Sequence, residues 1–286
     1  MRDRVFNANA IARFMAAYPE QPGLLTHGLA GHPMFDLEAL ALLGGRMRPV
    51  DVEYNHGDLP VGVDPASVPG NGLGIADTIR GIEGNGSWLV LKFIEQDPAY
   101  RAFLHETLAE IAPAVRDVTG EMFKLEGFVF VSSPDAVTPF HFDPEHNILL
   151  QIRGSKTFTV FPACDEEIAD GVAHETFHRG GHRNLRYDEH FAAKGTAIRM
   201  DPGQAVYVPV KAPHWVKNGP APSVSFSITW RSEWSYAESA ARGMNGLLRR
   251  AAVGPRPPGR FPENNLAKSV AYRAISKVGR SLGRRA

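Results

Sequence analysis

The sequence has a single cysteine, Cys164, in 286 residues. That excludes an intramolecular disulfide framework and any cysteine-based zinc cluster, and it fits a reducing compartment. An excess of one charge is missing too: 31 Lys and Arg stand against 31 Asp and Glu, so the protein is not basic or acidic throughout. No uninterrupted apolar run approaches the ~18 residues that a spanning helix needs. Met1 to Ala17 lacks the apolar core and small-residue cleavage site of a secretory signal. The expectation is a soluble, cytoplasmic protein. No internal repeat or low-complexity tract is present. Glycine and proline, by contrast, make up 50 of the 286 residues, which points to many turns and a β-rich body.

Three stretches differ in texture. Residues 1–120 read as mixed helix and strand that pack on a β-rich central region. Asp36 to Leu43 is a helix candidate capped by Asp36 and stopped by Gly44-Gly45. Residues 50–75, rich in proline and glycine, read as loop. Ser87 to Ile94 reads as a strand, and Asp97-Pro98 opens a helix to about Ile111. Residues 121–235 carry recurring short β-rich runs at 127–132, 147–153, 156–161, 196–200, 205–209 and 223–230, separated by turn residues. Such spacing predicts a sandwich or barrel: a mainly β, jelly-roll type fold, interrupted by a His-rich insertion over 162–195. Residues 236–286 form a basic region. From Arg242 onward, eleven Lys and Arg face one acid, Glu263, and Leu266, Val270, Ala274, Val278 and Leu282 recur every four residues, as on an amphipathic helix.

The sharpest chemical signal is His141-Phe142-Asp143 followed by His214. Residues two apart on an extended strand point the same way, so His141 and Asp143 can offer an imidazole and a carboxylate to one ion. A second imidazole, His214, completes the two-His, one-carboxylate facial set of non-haem iron oxygenases, which leaves coordination positions open. His-X-Asp alone is common, and a surface turn beside Pro139 and Pro144 is the plain alternative. The context favours the metal, because both His residues flank β-rich runs, as at the mouth of a barrel.

Arg153-Gly154-Ser155-Lys156 reads as a two-residue hairpin turn. Counting back by twos then places Lys156 on the same face as Gln151, Leu149, Asn147, Asp143 and His141. A buried lysine is costly unless it meets an anion. Lys156 either grips the distal carboxylate of a metal-bound dicarboxylate or reaches solvent from the turn. Thr138, three residues before His141, offers a hydroxyl to the same carboxylate or serves the turn.

The run Thr138-Pro139-Phe140-His141-Phe142-Asp143-Pro144-Glu145-His146-Asn147, continued by Gln151-Ile152-Arg153-Gly154-Ser155-Lys156, resembles the core of the small JmjC-domain, cupin-like hydroxylases dependent on Fe(II) and 2-oxoglutarate. The asparaginyl hydroxylase of the hypoxia response is their best-known member. Gly203 to Pro209 followed by Pro213-His214-Trp215 is similar to the second motif of that family. The resemblance spans residues 85–235. It implies a double-stranded β-helix in which His141, Asp143 and His214 bind Fe(II). Lys156 and Thr138 would hold the C5 carboxylate of 2-oxoglutarate, and Asn147 would line that pocket. Of Ser225, Ser227 and Thr229, which alternate onto one face of the last strand, Ser227 is taken as the contact. Family pockets also use a tyrosine from an early strand, where this chain has Phe128 and Phe130. The implied reaction is hydroxylation of a C–H bond on a protein side chain or small molecule, with succinate and carbon dioxide as co-products. Demethylation is the same reaction on an N-methyl carbon.

Other features read more plainly. His174, His178 and His182, spaced four apart, could form a second metal column, but Gly180-Gly181 breaks the helix and a solvated loop over the pocket mouth is the expectation. His146 is expected to point away from the iron, Arg231 to form a surface ion pair, and Trp88, Trp230 and Trp234 to be core. The basic helix would join two subunits into a homodimer, with nucleic acid or membrane contact as the other options. The competing function is a metal-binding cupin that senses or binds a ligand without turnover. A cupin running isomerase or cleavage chemistry is a third.

Overall fold

Alternation along residues 146–153 sorts the interior. Ile148, Leu150 and Ile152 join one apolar cluster, while Leu149 joins another with Phe158, Val160, Met200, Val206, Val208 and Val216. A strand apolar on both faces must lie between two layers. The computed structural model describes residues 4–57, 61 and 70–283, with side chains to residue 277.

Among the described residues, eleven strands form two antiparallel sheets. They are β1 (Gly23–Thr26), β2 (Val52–His56), β3 (Ser87–Lys92), β4 (Met122–Ser132), β5 (Val137–His141), β6 (His146–Arg153), β7 (Lys156–Val160), β8 (Thr196–Met200), β9 (Gln204–Val208), β10 (His214–Asn218) and β11 (Ser223–Ser232). The large sheet runs β1-β9-β6-β11-β4-β3-β2 and the small one β5-β10-β7-β8. Their facing sides enclose the second apolar cluster. The outer side of the large sheet is covered by α1 (Ala8–Ala17), α2 (Leu37–Arg46), α3 (Ile75–Arg80), α4 (Pro98–Ala109) and α5 (Ala112–Thr119), whose Phe14, Leu40, Ile79, Phe103 and Val115 share one apolar cluster with Tyr207, Phe226 and Trp230. The mainly β jelly roll expected from the strand pattern is present. No helix among the described residues is long and apolar enough to cross a membrane.

Several local expectations change. The first 120 residues do more than pack on the barrel: β1, β2 and β3 extend its large sheet. Helix α2 runs through Gly44-Gly45 to Arg46, and Asp36 makes no side-chain cap bond. A Cβ on Gly44 would lie 2.9 Å from Ile75 of α3, so this glycine serves helix contact rather than termination. The loop expected over 50–75 contains β2, and its residues 58–60 and 62–69 lie outside the described residues.

The largest correction concerns residues 153–156. Strands β6 and β7 are not a hairpin, because β6 pairs with β9 and β11 while β7 pairs with β8 and β10. Gly154-Ser155 carries the chain from one sheet to the other. Gly154 has φ +67°, and a Cβ there would stand 2.3 Å from the Pro222 carbonyl oxygen. Only glycine fits both the left-handed backbone and that approach.

The insertion folds into α6 (Gly171–Phe177) and a 3-10 turn at Glu189–Lys194. Helix α7 (Glu233–Arg250) follows β11 through a capping box on Ser232, and α8 (Leu266–Gly283) packs on α7. Gly243 permits that contact, since a Cβ there would stand 2.4 Å from the Tyr272 ring. Leu266 and Val270 of the expected apolar stripe are exposed. The side chains of Val278 and Leu282 lie outside the described residues.

Candidate metal centre and anion pocket

Strands β5 and β10 are neighbours in the small sheet, with His141 and His214 as direct partners. Asp143 follows β5 in the turn toward β6. The two histidines therefore sit on adjacent strands that sequence patterning missed, because β5 and β10 are short and interrupted by Pro139 and Lys217. The expected in-phase count from Lys156 back to His141 fails, since the chain changes sheet between them. The three side chains nonetheless converge: one ligand atom from each of His141, Asp143 and His214 lies within 4.8 Å of the others.

Local bonding fixes which atoms face that point. His141 Nδ1 lies 2.7 Å from the Pro139 carbonyl, and His214 Nδ1 lies 2.9 Å from the Ala212 carbonyl. Each ring thus donates through Nδ1 and keeps a lone pair on Nε2. The two Nε2 atoms stand 3.8 and 3.5 Å from the same Asp143 oxygen, Oδ2. Burial, then the neighbouring imidazole of His214, pulls His141 down to about 3, and burial lowers His214 too. Both rings are therefore neutral at physiological pH. Burial pushes the Asp143 carboxyl up, but the Arg183 guanidinium beside it outweighs that and holds the group ionised. Two neutral imidazoles and a carboxylate, oriented from behind by backbone carbonyls, fit a divalent cation.

Arg183, from the insertion, donates to Asp143 Oδ1 at 2.5 Å, leaving Oδ2 for the shared point. The insertion reaches it by running beside β5. Phe142 N–H donates to the Arg183 carbonyl, Leu185 N–H to that of Phe140, and Asn184 bridges to His141. Nothing in the sequence marks Arg183, one arginine among several in a polar segment.

Lys156 does point inside. Its residue is 5 % exposed, in phase with Phe158 and Val160 of β7, so the expected burial holds although the hairpin behind it does not. Burial alone pulls its ammonium down to about 7. Among the described residues no carboxylate pairs with it. The inner face of β11 opposite is polar. Ser227 Oγ donates to Asn147 Oδ1 and Ser225 Oγ to Gln151 Oε1, both at 2.7 Å, while Thr229 donates to the Glu126 carbonyl. Thr138 Oγ1 accepts from the Trp88 indole N–H at 3.2 Å, which frees the threonine proton for another acceptor. Trp88, expected in the core, is half-buried beside this chamber and comes from an early strand. By register, Lys156 of β7, Thr138 of β5 and Asn147 of β6 belong to the inner faces of the two sheets. A buried ammonium with no carboxylate partner among the described residues suits an anionic ligand.

The remaining expectations divide. His146 is buried on the opposite face, with Nδ1 3.0 Å from the Tyr207 hydroxyl and Nε2 3.0 Å from Ser232 Oγ, away from the cluster as expected. Trp230 and Trp234 are core. Arg231 is buried rather than a surface group: it bonds Ser235 and Ser239 of α7 and lies 3.7 Å from Glu145. The His-rich segment is a solvated loop only in part: His182 is exposed and irregular, but His174 and His178 are not. His174 is buried against Phe142, ring centroids 4.6 Å apart, and His178 Nε2 meets the Lys211 ammonium. The helix holding them packs on α7, which turns its polar face inward.

Residues 100–235 match the model of the cupin-like domain family. No curated protein matches the sequence. Solved structures of YcfD from Escherichia coli are similar over most of the chain. One is 15 % identical with a TM-score of 0.49, covering 94 % of this chain and 66 % of that one. A second, named as a ribosomal oxygenase, is 13 % identical with a TM-score of 0.47 and coverage of 97 % and 67 %. A third, the ribosomal oxygenase in complex with cobalt and succinic acid, is 13 % identical with a TM-score of 0.47 and coverage of 97 % and 68 %. This chain spans about two thirds of their length. The similarity to the cupin-like domain family is thus confined to residues 100–235 of this chain.

Proposed function

We propose that this chain is an Fe(II)- and 2-oxoglutarate-dependent oxygenase of the JmjC type that hydroxylates a C–H bond. The observation that carries this reading is the pairing of two features inside one barrel. His141, Asp143 and His214 turn three ligand atoms to a common point, and Lys156 lies buried with no carboxylate partner among the described residues. A pure ion site needs the first and not the second. In this reading His141 Nε2, His214 Nε2 and Asp143 Oδ2 hold Fe(II), with Arg183 fixing the other carboxylate oxygen. Lys156, Thr138 and Asn147, the last oriented by Ser227, hold the C5 carboxylate of 2-oxoglutarate. When bound, the iron and its co-substrate supply the oxidation: 2-oxoglutarate, dioxygen and R–H give succinate, carbon dioxide and R–OH. The protein orients the co-substrate by its far end, keeps both imidazoles neutral and excludes water with the barrel walls.

Anaerobic titration of Fe(II) and 2-oxoglutarate into metal-free protein tests the reading. A weak visible band near ~500–530 nm, a property of the chelated cofactor, is expected and should vanish in Asp143→Ala. Iron binding without the band would favour the cupin that binds a ligand without turnover.

A further inference from the structure

The segment between β9 and β10 contains a lysine where backbone geometry favours another residue. Ala212 N–H donates to the Pro209 carbonyl at 3.1 Å, closing a four-residue turn. Lys211, its third residue, has φ +62°. Turns of this kind give that position to glycine or asparagine, because a Cβ is strained there. The side chain is fully buried as well. A residue disfavoured by both its backbone and its charge needs a reason in what it touches.

Its contacts supply one. The Lys211 N–H donates to the Asp143 carbonyl at 2.7 Å, so its backbone holds the residue bearing the carboxylate ligand. The next residue, Ala212, carries the carbonyl that orients His214. The ammonium meets His178 Nε2 at 2.5 Å, lies 3.4 Å from Glu238 Oε2, and sits over the Phe142 ring at 5.9 Å from its centroid. Glu238 is buried in α7 and also accepts from Arg242 Nε at 2.9 Å. One residue thus ties two candidate ligands, through its backbone, to the insertion and to the C-terminal helix, through its side chain.

We propose that Lys211 is a positioning residue for the metal centre, and that its anchorage to Glu238 and His178 sets how tightly Asp143 and His214 hold a divalent cation. This rests on the metal-centre reading above. It makes α7 part of the machinery that shapes the site although none of its residues is a candidate ligand. Were the turn alone important, glycine would serve at least as well as lysine.

The test is Co(II) titration of the full chain, followed by visible absorption, which reports both affinity and ligand geometry. Wild type, Lys211→Gly, Lys211→Met and Glu238→Gln are compared, with His214→Ala as control and circular dichroism as the check on folding. Lys211→Gly suits the backbone and removes only the side chain. It is expected to stay folded, to bind Co(II) about tenfold more weakly or worse, and to shift the d–d bands. Glu238→Gln is expected to move affinity and spectrum in the same direction, and it decides the matter if the Lys211 variants do not fold. Wild-type affinity and spectrum in Lys211→Gly or in a folded Lys211→Met overturns the proposal, as does a wild-type result for Glu238→Gln where that variant decides. Failure of the wild type itself to bind Co(II) overturns instead the metal reading beneath it.

Discussion

His141 and His214 are direct partners across one antiparallel strand pair, their ring centroids 4.2 Å apart. Two imidazoles so close, both buried and both bonded through Nδ1 to the main chain, are stable neutral and repel each other when charged. That arrangement favours a shared cation over protons. Replacing either with alanine should weaken Co(II) or Fe(II) binding by about 100-fold or more, in keeping with the loss of a direct ligand where outer partners alone cost 10–100-fold. His146→Gln should leave it unchanged, since His146 lies on the other face of β6. Calorimetric titration of the three variants separates the cases.

In the proposed pocket, Lys156 would trade stability for binding. A lone buried ammonium destabilises the fold, so Lys156→Met should raise the unfolding free energy by about 1–4 kcal/mol, the range seen when buried charges give way to apolar groups. The sign with pH follows from a folded value near 7 against 10.5 unfolded. Between these limits the unfolded chain holds a proton that the folded one lacks, so wild-type stability rises with pH across that window. Urea unfolding at pH 7 and pH 9.5 should show the rise in wild type and its loss in the variant.

In the proposed pocket, the same group would make dicarboxylate binding depend on pH. An anion needs the charged ammonium, which the free pocket gives up above about 7. Succinate affinity in the presence of Co(II) should fall by up to tenfold per pH unit from about pH 7 upward, and Lys156→Met should bind weakly with no such slope. A flat wild-type profile would remove Lys156 from the anion pocket.

His27 gives an acid-sensitive joint. Its Nε2 lies 3.1 Å from the Gln151 and Gln204 carbonyls, and its Nδ1 accepts the Leu29 N–H. Burial pulls it down to about 4 against 6.5 in the unfolded chain. Its contribution is complete above pH 6.5 and is lost as pH falls toward 4, about 3 kcal/mol in all. Comparing His27→Gln with wild type across that range should show about one fewer proton taken up on unfolding.

Gly154→Ala should cost at least about 2 kcal/mol, because it adds both a strained positive φ and a clash with the Pro222 carbonyl. The thermal midpoint is the readout. Little change would mean that the crossing between the sheets tolerates a side chain.

Much of this protein is written locally. The short β-rich runs between turn residues place β4, β6, β7, β8, β9 and β11 to within about five residues. Helix α4 follows from Asp97, Pro98 and the spacing of Tyr100, Phe103, Leu104 and Leu108. The candidate set Thr138, His141, Asp143, Lys156 and His214 is legible from its residue types and from the family resemblance that its spacing carries.

What the sequence could not decide is which strand meets which. Arg153 to Lys156 reads as a hairpin, and only the pairing of β6 with β11 and of β7 with β10 shows it to be a crossing between sheets. Residue types alone gave His141, Asp143 and His214 as a possible set. Their convergence depends on β5 and β10 being neighbours, a contact between segments more than 70 residues apart that no local pattern encodes. Arg183, Trp88 and Lys211 stayed hidden for the same reason. An arginine, a tryptophan and a lysine are ordinary in a loop, a strand and a turn. They gain a role only when the fold brings them to Asp143, Thr138 and Glu238, because burial and proximity, not residue type, set the strength of a charge or a hydrogen bond.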